Sequence, residues 1–305
     1  MLGLIRDEDT ELAKLVEKRR ARTGIRLLWH RMLESKLSVA GLVIIAVFVF
    51  CAIFGPLLAP HDPLAQTIAD RLQGPTLNHP LGTDQFGRDI LSRLLYGARV
   101  SLLVGVVTVF IAVAIGSPLG LIAGYYRGKI DTIIMRILDA VISFPALILA
   151  LGITAALGPG VGTAFIAISI VMTPVFARLV RGSVLSVRER EYVEAARAIG
   201  TRDMRIMFRH ILPNVIEPII VVGSLMIGAC IIIEAGLSFL GVGVQPPNPS
   251  WGSMLGDGYL YLAISYWPAV SSGFAIALAV LGFNLVGDGL RDALDPRLRR
   301  AAGIQ

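Results

Sequence analysis

One hydrophilic stretch, residues 186–212, carries the side chains best placed to act on something outside the chain. Glu189, Arg190, Glu191, Glu194 and Arg197 space their charges along a helix written Glu191-Tyr192-Val193-Glu194-Ala195-Ala196-Arg197-Ala198-Ile199-Gly200. Ala195, Ala196 and Ile199 give that helix a small, flat apolar edge. The chemistry this allows is recognition: small side chains let a helix lie low in a partner's groove, and flanking charges fix its register. Gly200 permits the left-handed turn that ends a helix. Thr201 is placed to cap a second helix, and His210-Ile211-Leu212-Pro213-Asn214 brings the proline that starts an apolar span. The same spacing fits a solvated helical hairpin that has no partner.

Bond-breaking chemistry finds no such grouping. His30, His61, His79 and His210 are scattered over separate segments, and neither His-Glu-x-x-His nor Gly-x-Ser-x-Gly occurs. No Gly-x-x-x-x-Gly-Lys-[Ser/Thr] phosphate loop is written. The nearest string, Gly124-Tyr125-Tyr126-Arg127-Gly128-Lys129-Ile130, is one residue short between its glycines. It also has Ile130 where a hydroxyl must meet magnesium. Cys51 and Cys230 both fall in apolar stretches and read as packing residues, so neither a disulfide framework nor a metal site is expected.

The elements around the hydrophilic stretch are membrane spans. Hydrophobic residues make up 55% of the 305, and only 16% are charged; mean hydropathy is +0.72. A soluble domain cannot hide that much apolar surface. The apolar residues fall in six blocks, roughly 37–58, 100–124, 132–156, 161–185, 213–240 and 268–290. Each is long enough to cross about 30 Å of hydrocarbon as a helix rising about 1.5 Å per residue, and helices satisfy their own backbone in lipid. Lys and Arg are asymmetric: 23 of 28 lie in the N-terminus, the second and fourth loops and the C-terminus, against 4 in the first loop. The positive-inside rule puts both termini in the cytoplasm. The net charge of +6 then reads as topology and contact with anionic lipid, not nucleic-acid binding.

Residues 1–36 form a cytoplasmic tail in which Ile25, Leu28, Trp29, Met32 and Leu33 repeat at helical spacing, as in an interfacial amphipathic helix. A first span over 37–58 leads to an outer loop over 59–99. A core over 100–290 carries the 188–212 loop and an outer loop over 241–267, before a tail over 291–305. Prolines at 246, 247 and 249 predict a compact outer cap with short helices. Arg136, Asp139 and Glu234 fall inside apolar spans, where a charge facing lipid costs about 2.5–3.5 kcal/mol. They line a pore or bond helix to helix. Asp139 follows Arg136 by three residues and could pair with it. Glu217 and Asp288 sit near span ends, and Pro145, Pro174 and Pro218 can kink their spans.

Glu194-Ala195-Ala196, three residues, Gly200 and then Leu212-Pro213 resembles the EAA loop of ABC-importer permeases, which docks into the nucleotide-binding subunit. The general pattern has isoleucine two residues before Leu-Pro. Here His210 stands there with Ile211 next to it, the version found in the dipeptide/oligopeptide/nickel branch. The segments 79–89, 124–139, 234–241 and 284–296 agree with that branch in the same order.

The resemblance implies an all-α, six-span type I ABC-importer permease (MetI-like) fold in a bacterial inner membrane, and transport of di- or oligopeptides. Glu191, Glu194, Ala195, Ala196, Arg197, Gly200, His210, Leu212 and Pro213 would couple it to ATPases. The partners implied are a homologous permease chain, two ATPase subunits holding ATP and magnesium, and an extracytoplasmic binding protein. The chain itself would hold no cofactor and catalyse nothing. Glutathione, a nickel chelate or an opine-like solute are the other cargoes the resemblance allows. An ion-coupled transporter would need a mid-membrane relay and an internal repeat, for which Asp139 and Glu234 are too sparse.

Overall fold

The computed structural model describes residues 29–294, and they are predominantly helical; one isolated bridge between Thr83 and Asp89 is the only β pairing among them. Five helices are long and apolar enough to cross a bilayer: α1 (Lys36–Leu58), α2 (Ile90–Tyr126), α5 (Val161–Val187), α7 (Ile216–Phe239) and α9 (Trp267–Leu294). The short helices are α3 (Gly128–Ile142), α4 (Ala146–Leu157), α6 (Glu191–Ala198) and α8 (Trp251–Tyr259).

The third span, expected over 132–156 with Pro145 able to kink it, is broken in two. α3 and α4 meet at 88°, and only as one bent pair do they make a sixth crossing. Pro145 is the cause. It has no N–H to continue the ladder, and its ring disfavours helical geometry at Phe144; Pro145 itself is extended, with φ −56° and ψ 131°. Pro174, by contrast, lies inside the continuous α5.

α2 extends upstream of the apolar block that begins at 100. It begins ten residues earlier because Asp89 caps it, with Oδ2 accepting from Ser92 N at 2.8 Å. At 37 residues it is about 55 Å long, so it spans the bilayer and projects beyond it. Gly116, Gly120 and Gly124 line one face of α2 at four-residue spacing. A Cβ on Gly116 would lie 2.5 Å from the Thr173 carbonyl oxygen and one on Gly124 2.8 Å from Val184 Cβ; one on Gly120 would collide with the Ala177 carbonyl. Small residues at this spacing let helix backbones touch, the way helices associate where lipid supplies no hydrophobic drive.

One hydrophobic core joins α2, α7, α8 and α9 around Ala98, Leu102, Ile231, Trp251, Ala279 and Phe283. Trp251 is its centre: Nε1 donates to the Leu94 carbonyl at 3.0 Å, and Phe48 of α1 meets the indole edge-on at 5.1 Å. Ser250 and Ser253 close a capping box on α8, giving the short-helix cap expected between α7 and α9. Of the expected N-terminal amphipathic helix, residues 29–34 are helical, with Met32 buried and Trp29 and Leu33 exposed; Ile25 and Leu28 lie outside the described residues.

Candidate functional site

The 188–212 loop folds as α6, a glycine turn and a second helical stretch. Val193 and Ala196 point inward onto Ile206, Met207 and Ile211. This corrects the expected apolar edge: Ala196 is an internal anchor, and Ala195 and Ile199 remain outside, with Ile199 82% exposed. Glu191, Glu194, Arg197 and Gly200 are exposed as well. Met204 and Phe208 add apolar surface that helix periodicity over α6 does not reveal.

Gly200 has φ +74°. Its N–H donates to the Arg197 carbonyl at 2.9 Å and that of Thr201 to the Ala196 carbonyl at 3.1 Å, the two bonds of a Schellman stop. The Thr201 backbone N–H thus helps to end α6. Contrary to expectation Thr201 caps nothing, and Arg202 precedes the next helical turn without a side-chain cap. Residues 206–211 widen into π geometry, and Leu212-Pro213-Asn214 tightens to a 3-10 turn before α7. His210 is half-buried, and its carbonyl accepts from Asn214 Nδ2 at 2.7 Å.

The loop is bolted to the end of α2. Tyr125 donates its hydroxyl to Asp203 Oδ1 at 2.6 Å, its carbonyl accepts from Arg188, and the Arg197 guanidinium lies 5.3 Å from its ring centre. Arg127 reaches Glu189 at 2.5 Å. Burial, with the Arg127 and Arg197 charges beside it, holds the Arg188 guanidinium below its ordinary range. Two more bonds tie α3 to α5: Arg181 grips Asp131 through two nitrogens at 2.5 and 2.6 Å, and Arg178 reaches Asp139 at 2.5 Å. Asp139 thus pairs with Arg178 and not with Arg136, which is exposed and has no ion pair among the described residues. Asp139 therefore faces α5. Beside Arg178, a cavity of about 600 Å³ opens between the α3–α4 bend and Val171, Met172 and Val175.

Glu234 is fully buried within the chain. Ser238 Oγ donates to its Oε1 at 2.7 Å and accepts from Val244 N at 3.0 Å, so the carboxyl braces the turn that follows α7. Glu217 and Asp288 are exposed near their helix ends.

At the opposite end of the bundle, Asp84 binds Arg88 Nε at 2.6 Å and Arg93 Nε at 3.3 Å, all three side chains buried. Arg88, Arg93, Phe86, Gln245 and Asp257 border a cavity of about 760 Å³ under the α7–α8 connection. His61 and His79, expected to stay apart, stack with ring centres 4.7 Å from each other beside Asp89. Loop closure between α1 and α2 brings them together, which spacing along the chain does not show.

Residues 116–300 match the family described as "Binding-protein-dependent transport system inner membrane component", and residues 25–75 match "N-terminal TM domain of oligopeptide transport permease C". The chain is 49% identical over 271 residues to the dipeptide transport system permease protein DppC of Alkalihalophilus pseudofirmus, covering 89% of each. It is 44% identical over 286 residues to the glutathione transport system permease protein GsiD of Pectobacterium atrosepticum, covering 93% of this chain and 95% of that one. Among solved structures, an inward-facing MetNI methionine ABC transporter superposes with a TM-score of 0.56 at 20% identity, over 67% of this chain and 97% of the other. The shared fold is the MetI-like permease fold.

Proposed function

The chain belongs to the family of binding-protein-dependent transport system inner membrane components and is an ABC-importer permease, and from that premise we propose that it carries di- or oligopeptides inward across a bacterial cytoplasmic membrane. The cargo follows from its likeness to a dipeptide permease, with glutathione, for which a second relative is named, as the alternative. A homologous permease chain completes the pore, an extracytoplasmic binding protein delivers the cargo, and two ATPase subunits hold ATP and magnesium. Both termini are cytoplasmic, consistent with the excess of Lys and Arg on that side.

The observation that carries the coupling role is the division of α6 into two sides. Val193 and Ala196 fasten it to the chain, while Glu194, Ala195 and Ile199 are left outside. A helix so held presents a rigid apolar and charged surface to a groove, and Arg188, Asp203 and Tyr125 connect that surface to α2.

The test is uptake of a labelled dipeptide and of labelled glutathione by proteoliposomes holding the assembled importer, its binding protein and ATP, with wild type compared to Ile199→Asp. ATP-dependent dipeptide uptake that Ile199→Asp abolishes supports the reading. Glutathione uptake alone reassigns the cargo, and uptake driven by an ion gradient without ATPases overturns the coupling role.

A further inference from the structure

We propose that His61, His79 and Asp89 form a binding site for a divalent transition metal of the Zn²⁺ type, at the end of the bundle opposite the 188–212 loop. The three come from separate places: His61 follows α1, His79 lies in the loop and Asp89 caps α2. One candidate ligand atom from each lies within 4.8 Å of the other two. His79 Nδ1 is 2.9 Å and His61 Nδ1 4.0 Å from Asp89 Oδ1. These separations bracket the roughly 3.3 Å edge of a tetrahedron with metal–ligand bonds of about 2.0–2.1 Å. The His61 side chain is 40% exposed and rests on the His79 ring, so a turn of the His61 ring alone closes the remaining distance.

Asp89 is prepared for a cation. Its side chain has no exposed surface, and Oδ2 is occupied by the backbone N–H and hydroxyl of Ser92 at 2.8 and 2.7 Å. That leaves Oδ1 directed at the imidazoles. The same Ser92 hydroxyl accepts from His61 N at 3.1 Å, so one residue orients two of the ligands, as outer-shell partners do in metal sites. A buried carboxylate needs a compensating charge, yet the neighbouring guanidiniums of Arg88 and Arg93 are taken by Asp84. No Lys or Arg pairs with Asp89 among the described residues.

Two imidazole nitrogens and one carboxylate oxygen are the donor set that suits Zn²⁺, with the fourth position left to water. The bound ion would pin the start and end of the first outer loop to the N-terminus of α2. The other use of this geometry is a hydrogen-bonded His–Asp pair with no metal, and the experiment separates the two.

The full chain, purified in detergent without a polyhistidine tag, is titrated with Zn²⁺ by calorimetry and with Co²⁺ by visible absorption. The expected result is one Zn²⁺ per chain and the intense visible bands of tetrahedral Co²⁺. Loss of a ligand in His61→Ala or His79→Ala should weaken Zn²⁺ binding by at least the roughly 10–100-fold that loss of an outer-shell partner costs. His30→Ala and His210→Ala should leave it unchanged. His61 is partly exposed and its ring accepts or donates no bond shorter than 4.0 Å to Asp89, so His61→Ala keeps the fold intact and its circular dichroism serves as the check. Absence of stoichiometric Zn²⁺ binding, or binding that survives both His61→Ala and His79→Ala, overturns the site. The readout needs neither ATPase nor cargo.

Discussion

The Tyr125 hydroxyl donates to Asp203 Oδ1 at 2.6 Å across 78 residues of sequence. It joins the last turn of α2 to the second half of the 188–212 loop, so a push on the loop reaches a helix about 55 Å long. Because α2 packs backbone-to-backbone on α5 through Gly116, Gly120 and Gly124, the two helices respond as one body. Interiors packed this closely transmit displacement instead of absorbing it.

Tyr125→Phe removes the bond and keeps the ring that Arg197 covers. The expected outcome is a stability loss of about 0.5–1.5 kcal/mol, together with fewer cargo molecules moved per ATP at unchanged ATPase binding. Parallel measurement of uptake and phosphate release in proteoliposomes checks it. Unchanged stoichiometry would show that force passes elsewhere.

Gly120→Ala should lower the thermal midpoint, since even one methyl meets the Ala177 carbonyl. Overpacking of this kind costs about 1–3 kcal/mol. Gly120→Leu should leave little protein in the monodisperse peak of a fluorescence-detected gel filtration. Gly152→Ala, where a Cβ meets nothing within 4 Å, is the control.

Asp139→Asn and Arg178→Gln should not be additive, whereas Asp139→Asn and Arg136→Gln should be. Both members of the 2.5 Å pair are about half exposed in the isolated chain, so the coupling is about 0.2–1 kcal/mol. A double-mutant cycle on thermal stability in detergent measures it, and coupling to Arg136 instead would contradict the arrangement of α3 on α5.

Glu234→Gln retains an oxygen for Ser238 to donate to and should be tolerated. Glu234→Leu strips the partner from Ser238 Oγ, which also holds Val244 N, and should destabilise by about 1–3 kcal/mol. Limited proteolysis of the 241–250 turn should then accelerate in Glu234→Leu alone. Equal proteolysis in both would mean that the carboxyl does not brace the turn.

Much of this was legible along the chain. Five apolar blocks became membrane-crossing helices, Gly200 ended α6 with the left-handed turn expected of it, and the proline-dense segment after α7 became a cap with a short helix. Gly116, Gly120 and Gly124 also stood in plain view: small residues four apart mark a helix contact face. The misreadings share one cause. Ala196 lay on the supposed outer edge of α6, and His61 and His79 were distant in number. Asp139 bonds helix to helix, one of the two roles expected of it, but its nearest candidate partner lay on its own helix. In each case the partner came from another segment.

The sequence by itself determined where the chain enters lipid and where it must leave, because hydropathy and helix stops act residue by residue along one dimension. It also determined the family, through a loop whose glycine and Leu-Pro spacing can be read without a fold. Only the tertiary structure decided that the third span breaks by 88° at Pro145, that Arg178 claims Asp139, and that Asp89 gathers two histidines. A proline permits a kink without setting its angle. A charge or an imidazole finds its partner only when packing has set which helices abut, and that information is carried by contacts between segments and not by order within them.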